Sequence, residues 1–288
     1  MNNLNVSQKI SHFINTHEYK ELKVSNTLFR YLLCGEGKRT LIFLDGGMGT
    51  SEAWFEYINF FEEKFQILTF PFPFPDNLPT NIKQVIAIKE LMDKICINKA
   101  TFIGISYGTL LAQLFTKNFP EYVDDLVLIS GAGLTSETKL SLKKYKFIFK
   151  LSILSAKILP FKLVRKMIIK KSIKNLTNRN ETKQKKSLIE SSINKLYKDC
   201  SKETVMNMGY LLLNLFDSEN CQSTDFDFLD SKTLLIFPEN DFFPKETQIA
   251  LLNLMKNPEV IWIDSGAHGD PLFDDNYLTI IKAFLKRG

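Results

Sequence analysis

The stretch from Ala100 to Phe115 limits what this chain can fold into more than any other. It opens with the apolar run Ala100-Thr101-Phe102-Ile103 and turns through Gly104-Ile105-Ser106-Tyr107-Gly108. It then continues as Thr109-Leu110-Leu111-Ala112-Gln113-Leu114-Phe115, which reads as helix. A buried strand that passes through a short turn straight into a helix belongs to a sheet with helices packed on it. The two glycines let the strand and helix backbones approach more closely than a Cβ would allow. That layout lifts the Ser106 hydroxyl above the sheet at the apex of the turn. It also leaves the N–H of Tyr107, in the first helical turn, without an acceptor inside its own helix. The string G-x-S-x-G alone is common. Between a strand and a helix it has the form of a nucleophile elbow.

The rest of the chain repeats the alternation. Leu22 to Val24 and Leu28 to Leu33 read as antiparallel strands around the turn Ser25-Asn26, after a polar N-terminal helix holding His12 and His17 as surface residues. Thr40 to Leu44 is continuously apolar, as a strand covered on both faces should be. A helix over Glu52 to Lys64 and a strand over Phe65 to Phe70 follow. Next comes a helix over Asn81 to Ile97, with Ile82, Val85, Ile86, Ile88 and Leu91 as its packed face, and Val123 to Ile129 is another strand. From about Thr135 to Asp230 only helical patterns occur. Strand Thr233 to Phe237, helix Lys245 to Lys256, strand Val260 to Ile263 and a last helix from Asn276 resume the alternation. The prediction is an α/β fold, a mostly parallel eight-stranded sheet with helices on both faces. Its core would comprise residues 1–134 and 231–288, with 135–230 as a helical cap over the carboxyl ends of the strands.

A serine nucleophile needs a base, and the base needs an orienting acid. Of the three histidines, His12 and His17 precede the first strand. His268 follows the strand Val260 to Ile263, in Asp264-Ser265-Gly266-Ala267-His268. The strand before it leads into Pro238-Glu239-Asn240-Asp241-Phe242-Phe243-Pro244. There Asp241 is the favoured acid and Glu239 the near competitor, with Asp217 and Asp230 more distant. Asp45-Gly46-Gly47-Met48-Gly49-Thr50 lacks the lysine of a phosphate loop and the spacing of a dinucleotide loop. Its backbone can instead face the top of the sheet, with the Gly47 N–H opposite that of Tyr107. Pro71-Phe72-Pro73-Phe74-Pro75 must be extended. Phe72 and Phe74, with Met48, are expected to form an apolar substrate wall.

These residues resemble the α/β-hydrolase superfamily over most of the chain outside the helical segment. The match rests on Gly104 to Gly108, the Asp45 to Gly49 loop, Asp241 with Pro244 after it, and Gly266-Ala267-His268. The resemblance implies Ser106 as nucleophile, His268 as base, Asp241 as acid, and the N–H groups of Gly47 and Tyr107 as oxyanion hole. It requires no metal or cofactor. Two departures stand out: Asp45 occupies the place of the usual histidine, and the Pro/Phe run replaces a segment that commonly carries an aspartate and several glycines. Hydrolysis of a carboxylic ester with an apolar acyl or alkyl group is the expected activity. Proline-releasing aminopeptidases, whose loop is loosely similar, thioesterases and C–C hydrolases use the same triad, and a non-catalytic ligand-binding member of the fold is the alternative of another class.

Composition adds partners and compartment. Met1 to Lys20 lacks an apolar signal core, and no run reaches the length of a membrane span. Cys34, Cys96, Cys200 and Cys221 lack metal-ligand spacing and are expected as reduced, buried thiols, so the chain reads as cytoplasmic. The net charge is +5, unevenly spread: Lys139 to Lys174 holds twelve basic residues and no Asp or Glu, interleaved with apolar ones. The plain reading is a cap helix with one solvated face. The other is weak contact with an anionic membrane or an acidic substrate. No recognition motif accompanies the charge, so nucleic acid is not an expected partner.

Overall fold

The computed structural model describes residues 6–24, 27–47, 51–74, 79–176, 183–198 and 200–287. Eight strands form one sheet in the order β1-β2-β4-β3-β5-β6-β7-β8. They are β1 (Lys20–Val24), β2 (Thr27–Cys34), β3 (Thr40–Leu44), β4 (Gln66–Thr69), β5 (Ala100–Ile105), β6 (Val123–Ile129), β7 (Thr233–Asn240) and β8 (Glu259–Ala267). β1 and β2 pair antiparallel, as does β2 with β4, and every later pairing is parallel. The turn Ser25-Asn26 lies outside the described residues.

Successive side chains of a strand point to opposite faces, so a strand that is apolar throughout feeds two cores at once. Ile42 and Leu44 of β3, Phe102 of β5, and Leu126 and Leu128 of β6 pack into one cluster. Leu41 and Phe43, Ile103 and Ile105, and Val127 and Ile129 pack into the other. The first cluster is covered by α3 (Asn81–Lys94), α4 (Tyr107–Asn118) and α10 (Lys245–Leu254). The second is covered by α1 (Val6–Thr16), α2 (Phe55–Phe61) and α11 (Asn276–Leu285).

Between β6 and β7 run α5 (Ser136–Ser141), α6 (Lys143–Ile158), α7 (Phe161–Leu176), α8 (Lys183–Leu196) and α9 (Lys202–Asn214). This segment has small cores of its own, one around Ala156, Val164 and Val205 and one around Ile189, Ile193 and Tyr197. α6 and α9 meet tightly at Gly209, where a Cβ would lie 2.5 Å from Ile153 Cγ1.

Several local expectations shift. Residues 51–54 form a 3-10 turn before α2, in place of one long helix. α3 begins where Thr80 Oγ1 accepts from the Lys83 N–H. Its packed face is Asn81, Gln84, Val85, Ile88 and Leu91, while Ile82 and Ile86 are exposed. A helix with apolar residues at 82, 85, 86 and 88 can be phased two ways, and the buried polar pair Asn81 and Gln84 decides it. β7 and β8 run on past their apolar cores, joined by the Asn240–Ala267 pairing beyond a register shift. Among the cysteines only Cys221 is buried; Cys34 and Cys200 are half-buried and Cys96 is exposed, and all four are free thiols. His12 is exposed, whereas His17 ties the end of α1 to the end of α2 through Nε2 and Glu62 Oε2, 3.0 Å apart.

Candidate active site

The elbow conforms closely to what its sequence demands. Ser106 sits at φ 53°, ψ −116°, a backbone state that non-glycine residues rarely occupy. Such strain persists only where the surroundings impose it. Here the Ser106 N–H donates to Ile129 O of β6 at 3.0 Å, and Thr109 Oγ1 donates to Ser106 O at 2.6 Å. A Cβ at Gly104 would lie 2.6 Å from Gly108 O, and one at Gly108 would lie 2.1 Å from Leu44 O. Both glycines are therefore sterically required.

The carboxyl ends of β7 and β8 bring two more side chains to Ser106. His268 Nε2 lies 2.9 Å from Ser106 Oγ, and His268 Nδ1 lies 2.7 Å from Asp241 Oδ1. A carboxylate can only accept, so the proton of the neutral imidazole sits on Nδ1 and leaves the Nε2 lone pair for the serine hydroxyl. The Asp241 side chain is 1% exposed, and its Oδ1 also accepts from the Phe243 N–H at 2.9 Å. The rings of Phe242 and Phe243 stand edge-on to the imidazole at 5.8 and 5.7 Å. Glu239 is exposed and spends Oε2 on the Ser265 N–H. Asp217 pairs with Lys146, and Asp230 with Lys256. Of the four carboxylates weighed from the sequence, Asp241 is the one that reaches His268.

Asp45, in the position of the family's usual histidine, is buried and turns Oδ1 onto the Gly46 N–H at 2.7 Å. That bond occupies the Gly46 donor. Gly47 stands next to it on the cavity wall, with nothing within 4 Å of the place a Cβ would occupy. Met48, Gly49 and Thr50 lie outside the described residues.

Ser106 and His268 open into a cavity of about 630 Å³. Its walls are largely apolar and come mainly from the segment between β6 and β7: Leu142, Ile148 and Phe149 of α6 and its approach, Ile193 of α8, Met208 and Leu212 of α9. Lys139 also reaches the wall; burial holds its ammonium below the usual lysine range, and its Nζ donates to Ser218 O. The Pro/Phe run is placed differently from its expected role. Phe72 is buried with its ring 5.1 Å from and edge-on to that of Tyr107, and Phe74 packs half-buried against the same core. Neither lines the cavity, so the expected Phe wall is a prop beneath the elbow.

One polar network escaped the sequence reading. The Tyr107 hydroxyl, whose ionisation burial opposes, donates to Asn81 Oδ1 at 2.7 Å. Asn81 Nδ2 donates to Leu211 O and Ser218 Oγ, and the Asn81 N–H donates to Asn214 Oδ1. A buried asparagine thus ties the elbow residue to α9 and the residues just after it, between partners 26 to 137 residues apart in sequence. Asn81→Ala should cost about 1–3 kcal/mol by orphaning the buried Tyr107 hydroxyl. Thermal melting would show it as a lower Tm, and Tyr107→Phe should recover part of the loss.

Comparison with known proteins agrees with this architecture. The family model described as alpha/beta hydrolase fold matches residues 39–273, and the chain belongs to that family. No curated protein gives a significant match by sequence. Among solved structures, the enol-lactonase from Burkholderia xenovorans LB400 superposes with a TM-score of 0.73 at 12% identity, over 93% of this chain and 100% of that one. The 2-hydroxy-6-oxo-6-phenylhexa-2,4-dienoate hydrolase from Rhodococcus sp. strain RHA1 gives 0.72 at 15%, over 94% and 99%. A carboxylesterase from Bacillus subtilis gives 0.69 at 17%, over 98% and 97%. At these identities the likeness is one of fold.

Proposed function

We propose that the protein is a serine hydrolase that cleaves carboxylic esters with an apolar acyl or alkyl group. The observation that carries this is the unbroken relay from Asp241 Oδ1 through His268 to Ser106 Oγ, with contacts of 2.7 and 2.9 Å, at the base of an apolar cavity. Ser106 Oγ attacks the ester carbonyl carbon while His268 Nε2 takes its proton. Asp241 holds the Nδ1–H and stabilises the imidazolium that forms. The N–H groups of Gly47 and Tyr107 receive the charge that develops on the carbonyl oxygen. His268 then protonates the departing alkoxide, and the acyl group remains on Ser106. Water, activated by the same imidazole, releases the acid and restores the hydroxyl.

The helices between β6 and β7 act in this reading as a cap. They supply most of the apolar wall, and the Asn81 network anchors them to the elbow. Binding an acyl chain there removes methylenes from water. In a series of p-nitrophenyl esters, kcat/KM should therefore rise with acyl length until the cavity is filled. Each methylene contributes up to about 0.8 kcal/mol, or about fourfold. A flat or falling series from acetate upward would reject an apolar acyl substrate.

A further inference from the structure

α6 is apolar on two opposite sides, although the fold buries only one. Tyr145, Phe149 and Ser152 line the cavity, and Ile153 and Ala156 are buried against neighbouring helices. The opposite side carries Phe147, Leu151, Leu154 and Ile158 at spacings of four, three and four, which places them within an arc of about 60°. Phe147 and Ile158 are each 71% exposed, and Leu151 and Leu154 are about half exposed. A continuous apolar strip on a solvent face marks an interaction surface.

The charges around the strip say what covers it. Lys143, Lys150 and Lys157, seven residues apart, follow one edge, and Lys144 lies on the other. All four are exposed, and Lys146, half-buried beyond the same edge as Lys157, pairs with Asp217. On α7, Leu163 and Met167 are exposed beside Lys166 and Lys170. A second copy of this chain fits poorly. A two-fold interface would set the basic edges of one strip against those of its mate, and residues 139–174 contain no acid to offset them. An anionic lipid surface meets both requirements, since acyl chains take up the apolar strip and headgroups neutralise the lysines. No described helix is long and apolar enough to cross a membrane.

We propose that the outer face of α6 is a docking surface for anionic lipid bilayers, with α6 lying in the interface and its inner face on the cavity. The proposal depends on the strip and its lysines alone and holds whatever Ser106 does.

The test is co-sedimentation of the full chain with vesicles of phosphatidylcholine, with and without phosphatidylglycerol, at low and high salt. The chain should partition onto the phosphatidylglycerol vesicles and be released by salt. Lys143→Gln and Lys150→Gln should each weaken partitioning about fivefold, which corresponds to about 1 kcal/mol per lysine near the surface. Phe147→Ser with Ile158→Ser should weaken it by at least about tenfold while leaving Tm unchanged or raised, because these side chains pack against little in the free protein. Equal binding to both vesicle types, or binding untouched by all of these variants, would overturn the proposal. So would a dimer in gel filtration that Phe147→Ser with Ile158→Ser converts to monomer, because the strip would then belong to a second copy.

Discussion

Ser106→Ala is expected to reduce ester turnover by on the order of 10⁶-fold, the loss typical when the nucleophile of a coupled triad is removed. The fold should survive it. Alanine tolerates φ 53° about as well as serine does, and the contacts that hold the elbow come from the Ser106 backbone, through Ile129 O and Thr109 Oγ1. The hydroxyl gives up one contact, to His268 Nε2, so Tm should stay within a few degrees of the parent. A fluorophosphonate probe reads the same chemistry without knowledge of the substrate. Ser106 Oγ forms a bond to phosphorus, fluoride leaves, and the serine proton passes to His268. Peptide mass spectrometry should find the label on Ser106 in the parent, no label in Ser106→Ala, and little in His268→Ala. Turnover retained by Ser106→Ala would exclude the proposed chemistry. A well-folded parent that neither labels nor turns over esters would assign the fold to ligand binding.

The parts of this site that were legible in the sequence are those whose position follows from local rules. Parallel strands all end on one edge of the sheet, so residues just after β5, β7 and β8 must gather there, and Ser106, Asp241 and His268 do. The glycines of the elbow carry their own steric reason, which the contacts at Gly104 and Gly108 bear out. What could not be read depends on long-range pairing. Phe72 looked like a wall because it is apolar and follows a strand, but Tyr107 offered it a ring edge below the elbow. Asn81 looked like the first residue of a helix, and nothing nearby in sequence announced Asn214 or Ser218 as its partners. On α6 the composition was plain, while the choice of which apolar side faced inward awaited the packing of Ile153 against Gly209. Between Asp241 and Glu239, two residues apart on the same strand exit, the backbone decided: Glu239 bonds to the β8 backbone at Ser265, and Asp241 turns inward.

That division predicts opposite outcomes for two nearly identical substitutions. Asp241→Asn should lower kcat by about 10⁴-fold, the scale seen when a triad aspartate becomes its amide. The volume is conserved, but Oδ1 accepts from both His268 Nδ1 and the Phe243 N–H. An amide that turns its NH₂ toward Nδ1 also takes the acceptor from Phe243, so Tm should fall by a few degrees. The chemistry changes because the imidazolium formed in the transition state loses its buried counter-charge. An amide NH₂ turned toward Nδ1 would also favour the tautomer with its proton on Nε2, where the Ser106 proton has to go. Glu239→Gln removes a charge of the same sign only two residues away, but from an exposed side chain whose oxygen serves the Ser265 N–H, a bond the amide oxygen can keep. Its kcat should stay within about threefold of the parent, as for a screened surface charge. Pre-steady-state kinetics with a p-nitrophenyl ester separates the two roles further. Asp241→Asn should slow both the burst of p-nitrophenol and the steady state that follows, because His268 acts in acylation and deacylation alike. If Glu239→Gln produces the large loss and Asp241→Asn does not, the acid is Glu239, and the 2.7 Å contact between Asp241 and His268 is structural.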